Sequence, residues 1–477
     1  MKKILKTIII TTIVVAITSC NSVDFEDINN DPTKASVAST SALLTSAEKY
    51  IGTYTTATTP NLYVQYLANG DYNDESRYLG LNFSYNTEYA DVLTNLNKII
   101  ELCNDASTST DASANGSLNN QKAVSMLMRS FMFWSMTDRW GMLPYTESLK
   151  GINNSFPKYD TQEEIYKGCF SEIDQALSLI DSGNGPTGDI LLGGDMNKWR
   201  KFANTLRVIM SLRISKQVPS STGYAAAEFN KGISGAISSN NENIYYTFLT
   251  EDSNDNPWQD RFQSRKDYVL ADTFVNSLIG SGTSTAPEDP RLEKYAEKST
   301  NNLEYAGGIY SAKNITANFS FITDDIINNS EAPGMLFTYS QIEFAKAEAV
   351  TLSWYSGSAS AFYKNAIQAS MNQWGVVTTD ATTYIDNHPY TGLSDIAAQK
   401  QIALYMQGYE SWAEWRRYKS IGVAPILTTI SNAINGSDIP QRHAYPGSAP
   451  TLNETQYNAA VTAQGADNLD TKIWWAK

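Results

Sequence analysis

Along most of the chain, apolar residues recur every three or four positions, the spacing of one face of an α-helix. Val124, Leu127, Met128, Phe131 and Trp134 form one such run. A second opens on Thr161 and Glu164, spaced as a capping box. It continues through Ile165, Tyr166, Phe170, Ile173, Leu177 and Ile180, and Gly183 follows as a stop signal. Trp199, Phe202, Leu206 and Ile209 predict a third helix behind Asp195 or Asn197. Ser340 to Glu343 reads as another capping box, leading Ile342, Ala345, Ala349 and Leu352. Phe362, Ala366 and Ala369 predict the next helix, which stops near Gly375. Gln399 to Tyr418 predicts one further helix, crowded with Tyr405, Tyr409, Trp412 and Trp415.

Small alanines at helix crossings resemble tetratricopeptide hairpins, but the period is too irregular for a plain solenoid. The expected fold is mainly α: tetratricopeptide-like helical hairpins forming a scaffold, with long decorating loops and little β structure. Polar, low-complexity pieces separate the helices at Asn104–Asn120, Ser182–Gly188, Ser215–Gly223 and Ser281–Asp289. Two longer insertions, Asn240–Lys313 and Asp386–Leu393, show neither period clearly, although Ile244–Phe248 has the look of one short strand. Loops that long in a compact protein are usually functional.

The start of the chain departs from this pattern. Lys2, Lys3 and Lys6 precede an apolar run from Ile8 to Ile17, and then come Thr18, Ser19 and Cys20. The run is too short to cross a hydrocarbon core of roughly 30 Å and fits a signal peptide. Small residues directly before Cys20 resemble a lipobox, so residues 1–19 are expected to be removed and Cys20 lipidated. Residues 20–36, acidic at Asp24, Glu26 and Asp27, read as a flexible tether, and 37–477 as a single helical domain. No later stretch is apolar enough to span a bilayer.

Charge and composition narrow the partners. The formal net charge is −14, with 50 acidic against 36 basic residues, which argues against nucleic acid and polyanionic ligands. The 28 tyrosines and 10 tryptophans suit both a large core and stacking against sugars or peptides. Beyond Cys20 only Cys103 and Cys169 remain; they could pair in an oxidising compartment or stay as buried thiols. His388 and His443 lie far apart beside Pro389 and Pro446, and no metal-ligand spacing occurs.

Catalytic constellations are sparse. There is no Gly-x-Ser-x-Gly elbow, two histidines cannot build the usual metal hydrolase site, and Gly193-Gly194 is too short to cradle phosphate. Glycoside hydrolysis needs only two carboxylates, and Asp74-Glu75 and Asp324-Asp325 are adjacent pairs. Neighbouring acids are more often solvated loop charges, so no catalytic residue, cofactor or metal is expected.

Five blocks resemble the SusD/RagB family, in particular its SusD-like branch with a tetratricopeptide-type core. They are Phe25–Ser36 behind the lipobox, Lys122–Gly151 with "TDRWGMLPYTESL", Pro157–Ile180 with Asp189–Ser215, Asp289–Ala296 with Phe337–Val350, and Gly408–Gly422 with the ending from Arg442 to Lys477. Order and spacing match across nearly the whole mature chain. The resemblance implies a surface-exposed outer-membrane lipoprotein that captures oligosaccharides, or in some members peptides, without catalysis. It also implies a SusC-like TonB-dependent transporter, over whose barrel such a protein sits as a lid. The alternative from another class is a surface glycan- or peptide-cleaving hydrolase on the same scaffold. Asp138, Gly141, Pro144, Tyr145, Trp199, Asn204, Trp412, Arg416 and Arg417 fall in the matched blocks and read as fold residues, with Arg416-Arg417 expected to salt-bridge loops.

The ligand surface must then lie in loops where the motif match fails. A sugar offers apolar ring faces edged by hydroxyls, so aromatics beside Asn, Asp or Arg are the chemistry to seek. "NGDYNDESRYLGLNFSY" (Asn69–Tyr85) and "DSNDNPWQDRFQSRKDY" (Asp252–Tyr268) offer that mixture. The expected ligand residues are Tyr72, Arg77 and Tyr78 in the first loop, and Trp258 and Arg265 in the second.

Overall fold

The computed structural model describes residues 38–477, so Cys20, the signal segment and the tether lie outside the described residues. The apolar stripes fold as predicted into consecutive helices. Helix α1 spans Thr40–Thr55, α2 Thr94–Asn104 and α3 Leu118–Trp140. They are followed by α4 (Gln162–Leu179), α5 (Met196–Arg213) and α6 (Tyr224–Ile233). Neighbours pack as pairs: α1 on α2, α3 on α4, α5 on α6. The Thr161–Glu164 capping box forms at the start of α4, and the Asp195 side chain caps α5 by accepting from the Asn197 and Lys198 amides.

The second half repeats the theme with α7 (Tyr339–Thr351), α8 (Ala359–Gln373), α9 (Thr378–Asn387), α10 (Leu393–Ala403), α11 (Gly408–Ser420) and α12 (Glu454–Gln464). Here two expectations are corrected. The capping box of α7 sits two residues earlier, with the Thr338 amide donating to Gln341 Oε1 at 2.8 Å. Ser340 lies inside the helix, and its hydroxyl donates to the Ala366 carbonyl. The single helix expected over Gln399–Tyr418 is broken between α10 and α11. Met406 adopts a left-handed backbone, φ 66°, and Gly408 packs so tightly that a Cβ there would lie 2.8 Å from the Asn61 amide nitrogen. Aromatic residues on both sides of the break preserve the helical period in the sequence and hide it.

Six short strands form three antiparallel pairs among the described residues. β1 (Leu67–Asn69) pairs with β5 (Tyr268–Leu270), β2 (Leu143–Pro144) with β3 (Tyr159–Asp160), and β4 (Ile244–Tyr246) with β6 (Gly334–Phe337). The long insertion after α6 is therefore structured. It carries β4, β5 and the short helices Pro257–Gln263, Asp272–Ile279 and Leu292–Tyr295.

Three apolar clusters fill the molecule: one beneath α1–α6 that takes in Trp475, one around β1, β5 and Trp412, and one among α7–α10. Residues Thr40–Lys477 form one compact unit. Cys103 and Cys169 are buried free thiols, raised above the ordinary thiol range by burial. Arg416 and Arg417 bind helices and carbonyls rather than bridging loops by charge. Arg416 donates to the Gln441 and Asp138 carbonyls at 2.8 Å each. Arg417 joins α11 to α7 through Glu348 and also holds Glu414.

Candidate functional site

The β1–β5 ladder brings the two candidate loops together. Asn69 stands opposite Tyr268, and beyond the last rung the Gly70 amide donates to the Asp267 carbonyl at 2.7 Å. The chain bends at Gly70 and Asp71, and beyond this turn stands Tyr72, facing Arg265 on the segment that leads into β5. The Tyr72 ring is 68% exposed, and the Arg265 guanidinium carbon lies 5.1 Å from its centroid. Arg265 is aimed by Asp267, whose Oδ2 accepts from Nη2 at 2.6 Å. A cation over a ring face in this geometry is attracted by the ring quadrupole.

Segment 309–316 braces this turn, which sequence reasoning missed. The Asn73 side-chain amide donates to the Ser311 carbonyl at 2.6 Å, and the Asn314 amide to the Asn69 carbonyl at 2.8 Å. The segment leaves Ile309 and Ile315 exposed, the latter at 71%. Beneath the turn, Glu75 accepts from the Tyr268 hydroxyl at 2.7 Å, and burial followed by the Glu75 charge pushes that phenol well up.

Arg77 is partly exposed but already engaged. It pairs with Asp74 at 3.2 Å, and its Nε donates to the Asn432 carbonyl at 3.0 Å. Its own carbonyl accepts from the Ile434 amide, so it pins the loop between α11 and α12. Asp74 and Glu75, the adjacent acids of the sequence, thus both have structural partners.

Two expected ligand residues are corrected. Tyr78 is fully buried, in the left-handed region at φ 63°, with its ring edge-on to Tyr63 at 5.8 Å. Trp258 is 2% exposed, covered by Arg261 at 4.8 Å and by Tyr268 at 6.2 Å. It enters the core because Asn256 caps the helix Pro257–Gln263 by accepting from the Trp258 amide, which turns the ring inward. Neither ring can offer a face to a ligand. Of the five predicted residues, Tyr72 and Arg265 come together at the surface, Arg77 stands nearby as a brace, and two belong to the core.

A larger cleft of about 570 Å³ lies between α2, α3 and α4, lined in part by Arg129, Phe133, Tyr145 and Lys150. Its Arg129 donates to Glu172 at 2.7 Å and to Asn97 at 3.0 Å. Among the described residues no group of three or more His, Cys, Asp or Glu is placed to hold a metal ion, and no helix is long and apolar enough to cross a membrane.

Comparison with solved structures gives the same architecture. A chitin-binding protein is 24% identical, covers 92% of this chain and 100% of its own, with a TM-score of 0.78. A SusD homologue from Bacteroides fragilis is 21% identical with the same coverage and TM-score. A chitin-binding SusD homologue from Flavobacterium johnsoniae is 20% identical, with coverage of 92% and 97% and a TM-score of 0.72. The sequence has no match among the curated proteins. Residues 31–446 match the SusD-like family, described as starch-binding and associating with the outer membrane, and the chain belongs to that family.

Proposed function

We propose that this protein is a lipid-anchored binder on the outer-membrane surface that captures oligosaccharides, or peptides, and delivers them to a SusC-like TonB-dependent transporter. The observation that carries the reading is the exposed Tyr72 ring, overlaid by Arg265, on a turn held by the β1–β5 ladder. An aromatic face edged by a guanidinium, with the exposed side chains of Ile309 and Ile315 nearby, suits a sugar ring. Saccharide is favoured over peptide because the family's description is starch-binding and two structural neighbours are described as chitin-binding. A capture role rather than hydrolysis is supported by Asp74 and Glu75, which are occupied in bracing the loop.

Calorimetric titration with maltoheptaose and with chitohexaose tests the reading. Wild type is expected to bind one of them without releasing product, and Tyr72→Ala to weaken that binding about tenfold, the loss of an aromatic platform with its buried area. Unchanged affinity in Tyr72→Ala, with intact circular dichroism, would place the ligand elsewhere. The anchor is tested by palmitate labelling, expected in wild type and lost in Cys20→Ala. Delivery is tested by detergent pull-down, which is expected to recover a large barrel protein.

A further inference from the structure

The break between α10 and α11 borders a small cavity. It is walled by α1 at Tyr54, by α3 at Phe131 and Trp134, and by β6 at Phe337, and the start of α11 bounds it with Gln407 and Glu410. The space is about 10 Å³, room for roughly one water molecule.

The backbone of Gln407 is fully engaged. Its amide donates to the Leu404 carbonyl at 2.8 Å, and its carbonyl accepts from the Ser411 amide at 2.9 Å. Its side chain is not. Gln407 stands at the N-cap of α11 but makes no capping bond, a role that shorter polar side chains fill. It is 4% exposed, and among the described residues neither Nε2 nor Oε1 has a hydrogen-bond partner. Glu410, one turn on and 6% exposed, is half satisfied. Its Oε2 accepts from Arg213 at 2.6 Å, whereas Oε1 has no partner among the described residues. Buried polar atoms left unpaired are costly and rare, and here three of them belong to side chains that line one cavity.

These atoms narrow what the cavity can hold. An anion would meet the Glu410 carboxylate. A calcium ion takes roughly six to eight oxygens, and only two unpaired side-chain oxygens stand here, beside the buried guanidinium of Arg213. A neutral molecule that both donates and accepts matches the set, and at this volume that molecule is water. We propose that the cavity is a hydration site whose long-lived internal water joins the Gln407 amide to Glu410 Oε1. Either end of the amide can take its share of the bridge, since water accepts from Nε2 or donates to Oε1. The water thereby ties the start of α11 to the scaffold formed by α1 and α3, apart from the Tyr72 surface.

A crystal structure of the protein, at a resolution that shows ordered solvent, is expected to hold a water within roughly 2.7–3.2 Å of both the Gln407 amide and Glu410 Oε1. Deuteron relaxation dispersion of the water signal checks the site in solution. Gln407→Met keeps an unbranched side chain without its amide, and is expected to lose one long-lived water relative to wild type, with circular dichroism confirming the fold. If that variant does not fold, the wild-type crystal structure decides. Empty density at the site, or the same number of long-lived waters in both proteins, overturns the proposal. So does an ion at about 2.3–2.6 Å from the two oxygens, the range of calcium.

Discussion

In the seam between α7 and α11, Arg417 donates to Glu348 at 2.8 Å and to Glu414 at 2.7 Å, and none of the three is exposed. At the end of the β1–β5 ladder, Arg265 meets one carboxylate and places its guanidinium over an exposed tyrosine ring. The same residue type is used in opposite ways. In the seam every charge is sequestered: Arg213 bridges Asp138 and Glu410, and Lys400 reaches Glu414 at 2.6 Å. Burial alone would raise Glu414, but Arg417, Lys400 and Arg213 hold it well below the usual carboxylate range. Burial prevails at Glu410, which stays raised despite Arg213. Buried networks of this kind are weak evidence for net stability but are costly to break. The turn keeps its groups only partly satisfied, which is the state a binding surface needs before its ligand arrives.

The largest effect should come from breaking the seam. Arg417→Met removes the cation between Glu348 and Glu414, leaving Glu348 only the Tyr418 hydroxyl while Lys400 still reaches Glu414, and is expected to cost about 3–5 kcal/mol in urea unfolding. Adding Glu348→Gln to it should restore part of the loss. A single variant that unfolds at the wild-type midpoint would mean that the seam is filler rather than frame.

Next come the two rings that the turn draws into the core. Trp258→Ala is expected to lose about 3–5 kcal/mol, the usual cost of truncating a buried aromatic, and Tyr78→Ala a similar amount. Tyr72→Ala should stay within about 0.5 kcal/mol of wild type, as surface changes do. Equal destabilisation by Tyr72→Ala would erase the distinction between platform and core that the comparison rests on.

A smaller effect should appear with acid. His443 is buried, stacked on Phe83 at 3.9 Å and on Trp412 at 5.1 Å. Tyr63, Trp140 and Tyr409 meet its edges. Burial first, then the cations Arg139, Arg416 and Arg442, hold it well below its ordinary value. The folded protein therefore carries this imidazole neutral, whereas the unfolded chain protonates it near pH 6.5. Unfolding takes up a proton below that point, so stability is full above about pH 6.5 and falls as the pH drops. Urea midpoints at descending pH should show this fall, and His443→Gln should flatten it. An unchanged slope in that variant would assign the acid sensitivity elsewhere.

The contrast also explains what the sequence disclosed. Scaffold helices were legible because burial imposes a period, and caps such as Thr161 and Asp195 mark their starts in local chemistry. The break between α10 and α11 was not, because Met406 turns the chain through a conformation that no side-chain pattern announces. In the loops, composition pointed to two segments that the β1–β5 ladder brings together but could not sort their rings. Tyr72 and Tyr78 stand in one polar stretch, yet one is exposed and the other fully buried. That difference is set by tertiary packing: Tyr78 lies against Tyr63 and is held by Asn435, whereas Tyr72 stands at the surface. Segment 309–316 was invisible for the same reason, since only the fold carries Asn314 to the Asn69 carbonyl.

The smallest effect is the most specific. Arg265→Lys keeps the charge and can keep the Asp267 contact, but it removes the planar group lying over Tyr72. A cation–π contact at an exposed site is worth about 0.5–1 kcal/mol, so affinity for the bound saccharide should fall only about two- to fivefold, with the unfolding midpoint unchanged. Arg265→Ala, which removes the charge as well, should fall further. The order of the two variants identifies what the turn offers its ligand. If lysine serves as well as arginine while alanine fails, the site reads charge, and an anionic ligand replaces the neutral sugar. If both fail alike, the flat stack of guanidinium and phenol is itself the binding surface, held ready by Asp267 before any ligand arrives.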